Sequence, residues 1–344
     1  GGGAAGISIA SRLKHELEEP NITIIDPSDR QYYQPGFTLI ASGIYKPEEV
    51  WKRQEDCIPS GVKWIKDSVT AVDPIWNNVV TTSNGKISYD FLVLVPGIQI
   101  NWNEIEGFDY NQLGKGNAHC IYDFKGAQMT WKAMKEFTEK GGKGVYTDTY
   151  TKHKCGGAPK KICLLTADYA RKHDHREQLS LTYYTAEKDL YDVKYFTPRL
   201  KEIYKERNVP IELNTRVKGI DTEKKQVYFE RIEKNGEEKI VTPFVEDYDF
   251  LHFTPPMSAP NFVKEAGLGF KEGKLAAGGW VEVDKETFVH KTYSNIISFG
   301  DAAGLPTSKT SAAIRMQVPI ATKNLIALME GKEPSNKYDG YAAC

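Results

Sequence analysis

Residues 7–17 place apolar side chains at Ile7, Ile9, Ala10, Leu13 and Leu17, a spacing that predicts a helix with one buried face. Pro20-Asn21 ends it, and the β-branched run 21–26 predicts a short strand closing on Asp26. Further strands are predicted at 62–65, 79–82 and 91–95, the last stopped by the turn signal Pro96-Gly97. From about 98 to 260 the pattern predicts a helix over 125–138, strands near 144–147 and 162–166, and a helix over 167–175. A strand over 179–185 and a helix around 198–207 follow. Short β-like runs come at 226–230 and 250–253. Residues 295–299 then form a strand ending in Gly300-Asp301, before a helix from about 311 to 329. Such alternation is the mark of an α/β protein, with a second α/β unit in the middle of the chain.

Composition narrows the function classes. With 344 residues the chain is long enough for two domains. Its 45 Lys+Arg against 46 Asp+Glu leave a formal charge of −1, so no basic face for nucleic acid is indicated. No apolar run approaches the roughly 20 residues of a spanning helix, although surface attachment needs no such run. The sparse, odd set Cys57, Cys120, Cys155, Cys163 and Cys344 is not a secreted disulfide framework. CxxC, HExxH, GxSxG and Walker motifs do not occur, and no metal site is expected; His119, Cys120, His173 and His175 read as surface or turn residues.

The opening Gly1-x-Gly3-x-x-Gly6 before a helix has a mechanism. Its glycines permit a tight turn and close backbone approach to a pyrophosphate resting on the helix N-terminus. Asp26 falls 20 positions past Gly6, at a strand end, where an acid binds a ribose hydroxyl. The plain alternative is a glycine-rich loop beside a surface Asp. Such a loop normally follows a strand, so one is expected before Gly1. The second signal, Gly300-Asp301, suits closure of a first nucleotide domain over its cofactor, or else a simple N-cap by Asp301. In the middle unit, where a second GxGxxG would hold nicotinamide phosphates, the chain reads Lys154-Cys155-Gly156-Gly157-Ala158-Pro159-Lys160-Lys161. Pro159 is expected to break the helix start there. His153, Lys154, Lys160 and Lys161 supply positive charge that lowers a thiol pKa, favouring a reactive Cys155 over a structural one. Cys163, in an apolar run, reads as structural, and Cys57 as a loop thiol.

Several longer phrases carry a family resemblance. They are Tyr32-Tyr33-Gln34-Pro35, Ile58-Pro59-Ser60-Gly61-Val62-Lys63-Trp64-Ile65-Lys66, Lys154-Cys155-Gly156-Gly157-Ala158-Pro159, Thr254-Pro255-Pro256-Met257-Ser258, Leu305-Pro306-Thr307-Ser308-Lys309-Thr310-Ser311-Ala312-Ala313 and the closing Lys337-Tyr338-Asp339-Gly340-Tyr341-Ala342-Ala343-Cys344. Spread along the whole chain, they resemble the sulfide:quinone oxidoreductases, particularly the mitochondrial-like group. The resemblance implies two three-layer Rossmann-like domains. Residues 1–97 and 291–344 would form the FAD-binding domain, and 98–290 a second domain carrying Cys155. It implies FAD held by Gly1, Gly3, Ala4, Ala5, Gly6, Asp26, Gln34, Val69, Gly97, Gly300, Asp301 and Lys309. It also implies a catalytic pair, Cys155 and Cys344. Hydrogen sulfide would be oxidised, electrons would pass to a ubiquinone-type quinone, and a thiol would accept the sulfur. Peripheral membrane contact would come through a part C-terminal to this sequence, at the mitochondrial inner membrane or, in a bacterium, the plasma membrane. Cys120 falls near a third cysteine of some bacterial members, against the plainer reading of a surface loop thiol. A type II NADH:quinone reductase-like flavoprotein and a non-catalytic flavin-bound subunit are the alternatives.

Overall fold

A computed structural model describes residues 1–191, 193–236 and 238–343. The chain divides into two compact units. One comprises Gly1–Tyr32, Trp51–Gln99 and the chain from Met257 onward; the other comprises Tyr33–Val50 and Ile100–Pro256.

In the first unit the predicted opening helix spans Ala4–Glu16 and buries Ala5, Ile9, Ala10 and Leu13, the stripe its spacing dictates. Thr23–Ile25 pairs in parallel with Lys63–Ile65, and Leu92–Val93 with Ile296–Ile297. Val69–Asp73, Asn78–Thr81 and Gly85–Ser88 make an antiparallel meander. The last long helix, Ser311–Met329, sends Val318, Ala321 and Leu325 into the same core as Ile9 and Leu13.

The second unit is built on a parallel sheet with the spatial order Ala118–His119, Phe250–His252, Gly142–Thr147, Leu179–Tyr184 and Ile211–Glu212. Its central strands are buried along most of their length, as a sheet covered by crossover helices requires. Phe137 of the helix Phe124–Lys140 stacks on Phe250 at 5.2 Å between ring centres. A long antiparallel hairpin, Gln226–Asn235 with Glu238–Asp247, pairs onto Thr215–Asp221. Both units are α/β, as expected.

One predicted stretch is corrected. Residues 162–166 are not a strand, and the helix does not begin at 167; both belong to one helix, Ala158–Lys172. The apolar run misled because its buried members, Ile162, Cys163, Thr166, Ala167 and Ala170, recur at helical spacing. Pro159 does not break this helix. It stands in the first turn, where its missing N–H has no intrahelical partner to lose.

Candidate functional site

The glycine loop of the first unit is held tightly from behind and open in front. A Cβ on Gly1 would lie 2.5 Å from the Val95 carbonyl oxygen, and one on Gly6 would overlap the Gly1 carbonyl. A Cβ on Gly3 would meet nothing within 4 Å. Gly3 is the N-cap of the first helix and offers no side chain to its free amides, and the first turn of Ala4, Ala5 and Gly6 holds no acid. Gln31 donates to the Gly2 carbonyl at 3.1 Å and accepts from Ala4 N at 3.3 Å, which leaves the amides of Ala5 and Gly6 and the positive end of the helix available to an anion.

Asp26 braces the loop. Its Oδ2 accepts from Gly2 N at 2.6 Å and its Oδ1 from Ser28 N at 2.9 Å. A carboxylate has about four acceptor sites, so two remain for a ribose diol. Buried Gln54 donates to the Gly2 carbonyl at 2.8 Å. Sequence reading missed this residue, because nothing local marks a contact 52 positions away. The second signal arrives at the same place: a Cβ on Gly300 would stand 3.6 Å from the Ala5 Cβ. Gly300 takes φ +69°, and its N–H donates to Gln317 Oε1 at 3.0 Å. Gly300, Lys309, Thr310 and Gln317 line one cleft. Lys309 is buried there, its Nζ donating to the Asp301 and Ala303 carbonyls at 2.7 and 2.8 Å and lying 4.0 Å from the Trp280 ring centre. Gly97 takes φ +80°, just past the Val95 carbonyl that backs Gly1. Val69 opens the meander, opposite Thr81. An open helix start with a braced acid and a second glycine turn beside it fits a dinucleotide such as FAD.

The second unit carries the cysteine loop. Cys155 is half-buried and disulfide-bonded, whereas Cys57, Cys120 and Cys163 are free. Cys344 lies outside the described residues. Cys155 takes φ +43°, a left-handed conformation that non-glycine residues seldom adopt. Its carbonyl accepts from Ala158 N at 2.9 Å and from the Tyr122 hydroxyl at 3.1 Å. Lys161 Nζ stands 3.9 Å from Cys155 Sγ. The Lys161 side chain is exposed by area, yet its ammonium is hemmed in closely enough that lost hydration lowers its pKa. Lys154 Nζ donates to Gln34 Oε1 at 2.7 Å, which places Gln34 beside this loop.

Other expectations change. Lys160 is not a solvated flanking charge: it is buried, with Nζ 3.1 Å from Asp148 Oδ2 and 3.1 Å from the Gly156 carbonyl. Cys120 is no surface thiol. It is fully buried, and desolvation pushes its pKa up to about 12. His119 is buried too, paired in register with buried His252, and neither ring has a hydrogen-bond partner among the described residues. His173 and His175 do lie at a helix end, at or near the surface. Among the described residues, no group of three or more His, Cys, Asp or Glu could hold a metal ion.

Comparison with known proteins fits this geometry. Residues 1–132 match the pyridine nucleotide-disulphide oxidoreductase family. The mitochondrial sulfide:quinone oxidoreductase of Mus musculus is 37% identical over the whole chain and 73% of its own length. Among solved structures, the sulfide:quinone oxidoreductase of Aquifex aeolicus matches 96% of this chain and 76% of its own, with TM-score 0.77 and 23% identity. A chain of the Tetrahymena thermophila mitochondrial ATP synthase matches 99% and 81%, with TM-score 0.82 and 22% identity. At those identities the two structures speak for the fold alone. The mouse relative, matched along the full chain, decides the family: the chain belongs to the sulfide:quinone oxidoreductases.

Proposed function

We propose that the chain oxidises hydrogen sulfide and passes two electrons through FAD to a ubiquinone-type quinone, with Cys155 and Cys344 as the exchanging pair. The observation that carries this reading is Cys155: a disulfide-bonded cysteine in a left-handed loop, 3.9 Å from an ammonium. Hydrosulfide attacks one sulfur of the disulfide. The S–S bond breaks, a persulfide forms on the attacked cysteine, and the other leaves as a thiolate with the electron pair. Lys161 favours that thiolate by its charge. Transfer of the outer sulfur to an acceptor thiol leaves two cysteine thiolates. Their re-closure to the disulfide releases two electrons. FAD, when bound, supplies the carrier between these thiolates and the quinone. The helix start at Ala4 and Ala5 would hold its pyrophosphate and Asp26 its adenosine ribose. Gly97, Gly300, Asp301 and Lys309 would face its other end, with further contacts from Gln34 and Val69.

Among the described residues no helix is long and apolar enough to cross a membrane. We place the protein peripherally at the mitochondrial inner membrane, where a quinone acceptor resides.

Anaerobic mixing tests the reading. Sulfide together with an acceptor thiol should bleach the bound flavin rapidly and NADH poorly. Cys155→Ser and Cys344→Ser should keep FAD but lose sulfide-dependent quinone reduction by several orders of magnitude, since a lone thiol forms no disulfide electrophile. Near-native turnover in either variant would sink the assignment. Rapid bleaching by NADH and none by sulfide would point to the NADH:quinone reductase alternative.

A further inference from the structure

We infer that Lys160, braced by Asp148, is a positioning residue for thiol–disulfide exchange at Cys155, acting through the Gly156 carbonyl. The inference rests on Cys155 being the exchanging thiol.

Lys160 and Asp148 are 7% and 3% exposed, so both charges have left water. A buried ion pair alone is weak evidence of a role, because desolvation offsets most of its attraction. The arrangement of the remaining bonds is more telling. Asp148 is saturated from within the unit: besides Lys160, it accepts from Thr185 Oγ1 at 2.7 Å, Tyr183 Oη at 3.2 Å and Ala186 N at 3.2 Å. It is therefore a fixed anchor at the ends of two adjacent strands, Gly142–Thr147 and Leu179–Tyr184. Lys160 reaches from that anchor to the Gly156 carbonyl, one residue past Cys155. Tyr122, itself buried, holds the preceding carbonyl, that of Cys155. Two consecutive carbonyls of the loop are thus gripped by buried side chains from outside it. The φ of +43° at Cys155 stands immediately before the first of them, so the chain is held directly after the left-handed turn that carries the sulfur. Such a conformation persists only where its surroundings over-determine it. The grip fixes the direction in which the sulfur leaves the backbone, and exchange demands near-collinear approach of three sulfurs.

The test uses the full FAD-loaded protein. Removing one charge would strand the other, so the variant is the neutral pair Lys160→Met with Asp148→Asn. The saturating rate of sulfide-dependent flavin bleaching should fall about tenfold or more, a loss typical of a misplaced reacting group. Half-saturating sulfide should change little, and bleaching by dithionite should be unchanged. Tyr122→Phe, which deletes one hydroxyl, should give a smaller loss of about threefold, near the worth of one hydrogen bond. A purely structural pair would lower the melting temperature and leave the saturating rate native, and that result overturns the inference. If the double variant fails to retain FAD, Tyr122→Phe decides alone, and a native rate there overturns it. Cys155→Ser separates the two claims. If it is dead while the other variants are native, only the positioning role falls; if it is active, the cysteine assignment itself falls.

Discussion

Two buried imidazoles in the second unit make the fold sensitive to acid. His119 stacks on Phe250 at 5.4 Å and His252 on Tyr146 at 6.2 Å. Burial lowers their pKa values to about 4 and about 3, with His119 contributing further at His252. Both are neutral in the fold across the physiological range, whereas the unfolded chain takes up protons below about pH 6.5. Stability is therefore complete above that value and falls as pH drops toward 4, by up to about 1.4 kcal/mol per pH unit for each ring. Melting curves between pH 7 and 4.5 should show this decline, and His119→Phe with His252→Phe should lessen it, leaving the share of His290, whose pKa burial also lowers. The buried thiols behave as packing groups. Cys163→Ser and Cys120→Ser should each cost about 1–3 kcal/mol, because each puts a hydroxyl into a fully buried site. Urea unfolding would measure the loss. Sulfide turnover should survive in both, and a dead Cys120→Ser would make that thiol a third participant.

At the level of elements, the glycine loop, Asp26 and the helices beginning at Ala4 and Ser311 were legible because each has a local signature: punctuating glycines, an acid at fixed spacing, a sustained helical period. The failures share a cause. Residues 162–166 were misjudged because a five-residue apolar run has too few turns to show its period. The strand Gln226–Asn235 was seen only to residue 230, because 231–235 are polar apart from Ile232 and the second strand of the hairpin, though it carries Ile240, Val241 and Val245, is largely exposed. Its Asn235-Gly236 step was the available turn signal, and Gly236 indeed takes φ +66°. Gln54 and Asp148 were not legible at all, and Lys160 was legible only as a charge near Cys155, since their partners are set by the tertiary fold. So are those of Asn324, fully buried in the last helix, which donates to the Thr287 and Asn336 carbonyls at 3.1 and 2.8 Å and accepts from Asn336 N at 3.0 Å. This amide helps tie down the tail after residue 331, together with the Tyr338 N–H, which donates to the Glu286 carbonyl at 2.9 Å. Asn324→Ala should cost about 1–3 kcal/mol, the penalty for orphaned buried partners. Trypsin should then cut faster at Lys332 and Lys337, and unchanged cleavage would show that Tyr338, packed 5.3 Å from the Phe288 ring, holds the tail without it.

For the whole molecule, the first unit is discontinuous. Its core joins Ile9 and Leu13 to Ile296, Phe299, Val318 and Leu325. The glycine loop meets Gly300 only through that core. On a ribosome, the second unit has all its residues once Pro256 is made, while the first is still without the segment that begins at Met257. At bacterial to eukaryotic elongation rates, residues 257–344 take several seconds more. During that interval the opening helix can pack only on the earlier part of its core, Val72, Val79, Leu94 and Val95, and still lacks Ile296, Phe299, Val318 and Leu325. Loading of the cofactor is accordingly a late event in the life of the chain, and a prematurely terminated product would be colourless however well its second unit had folded.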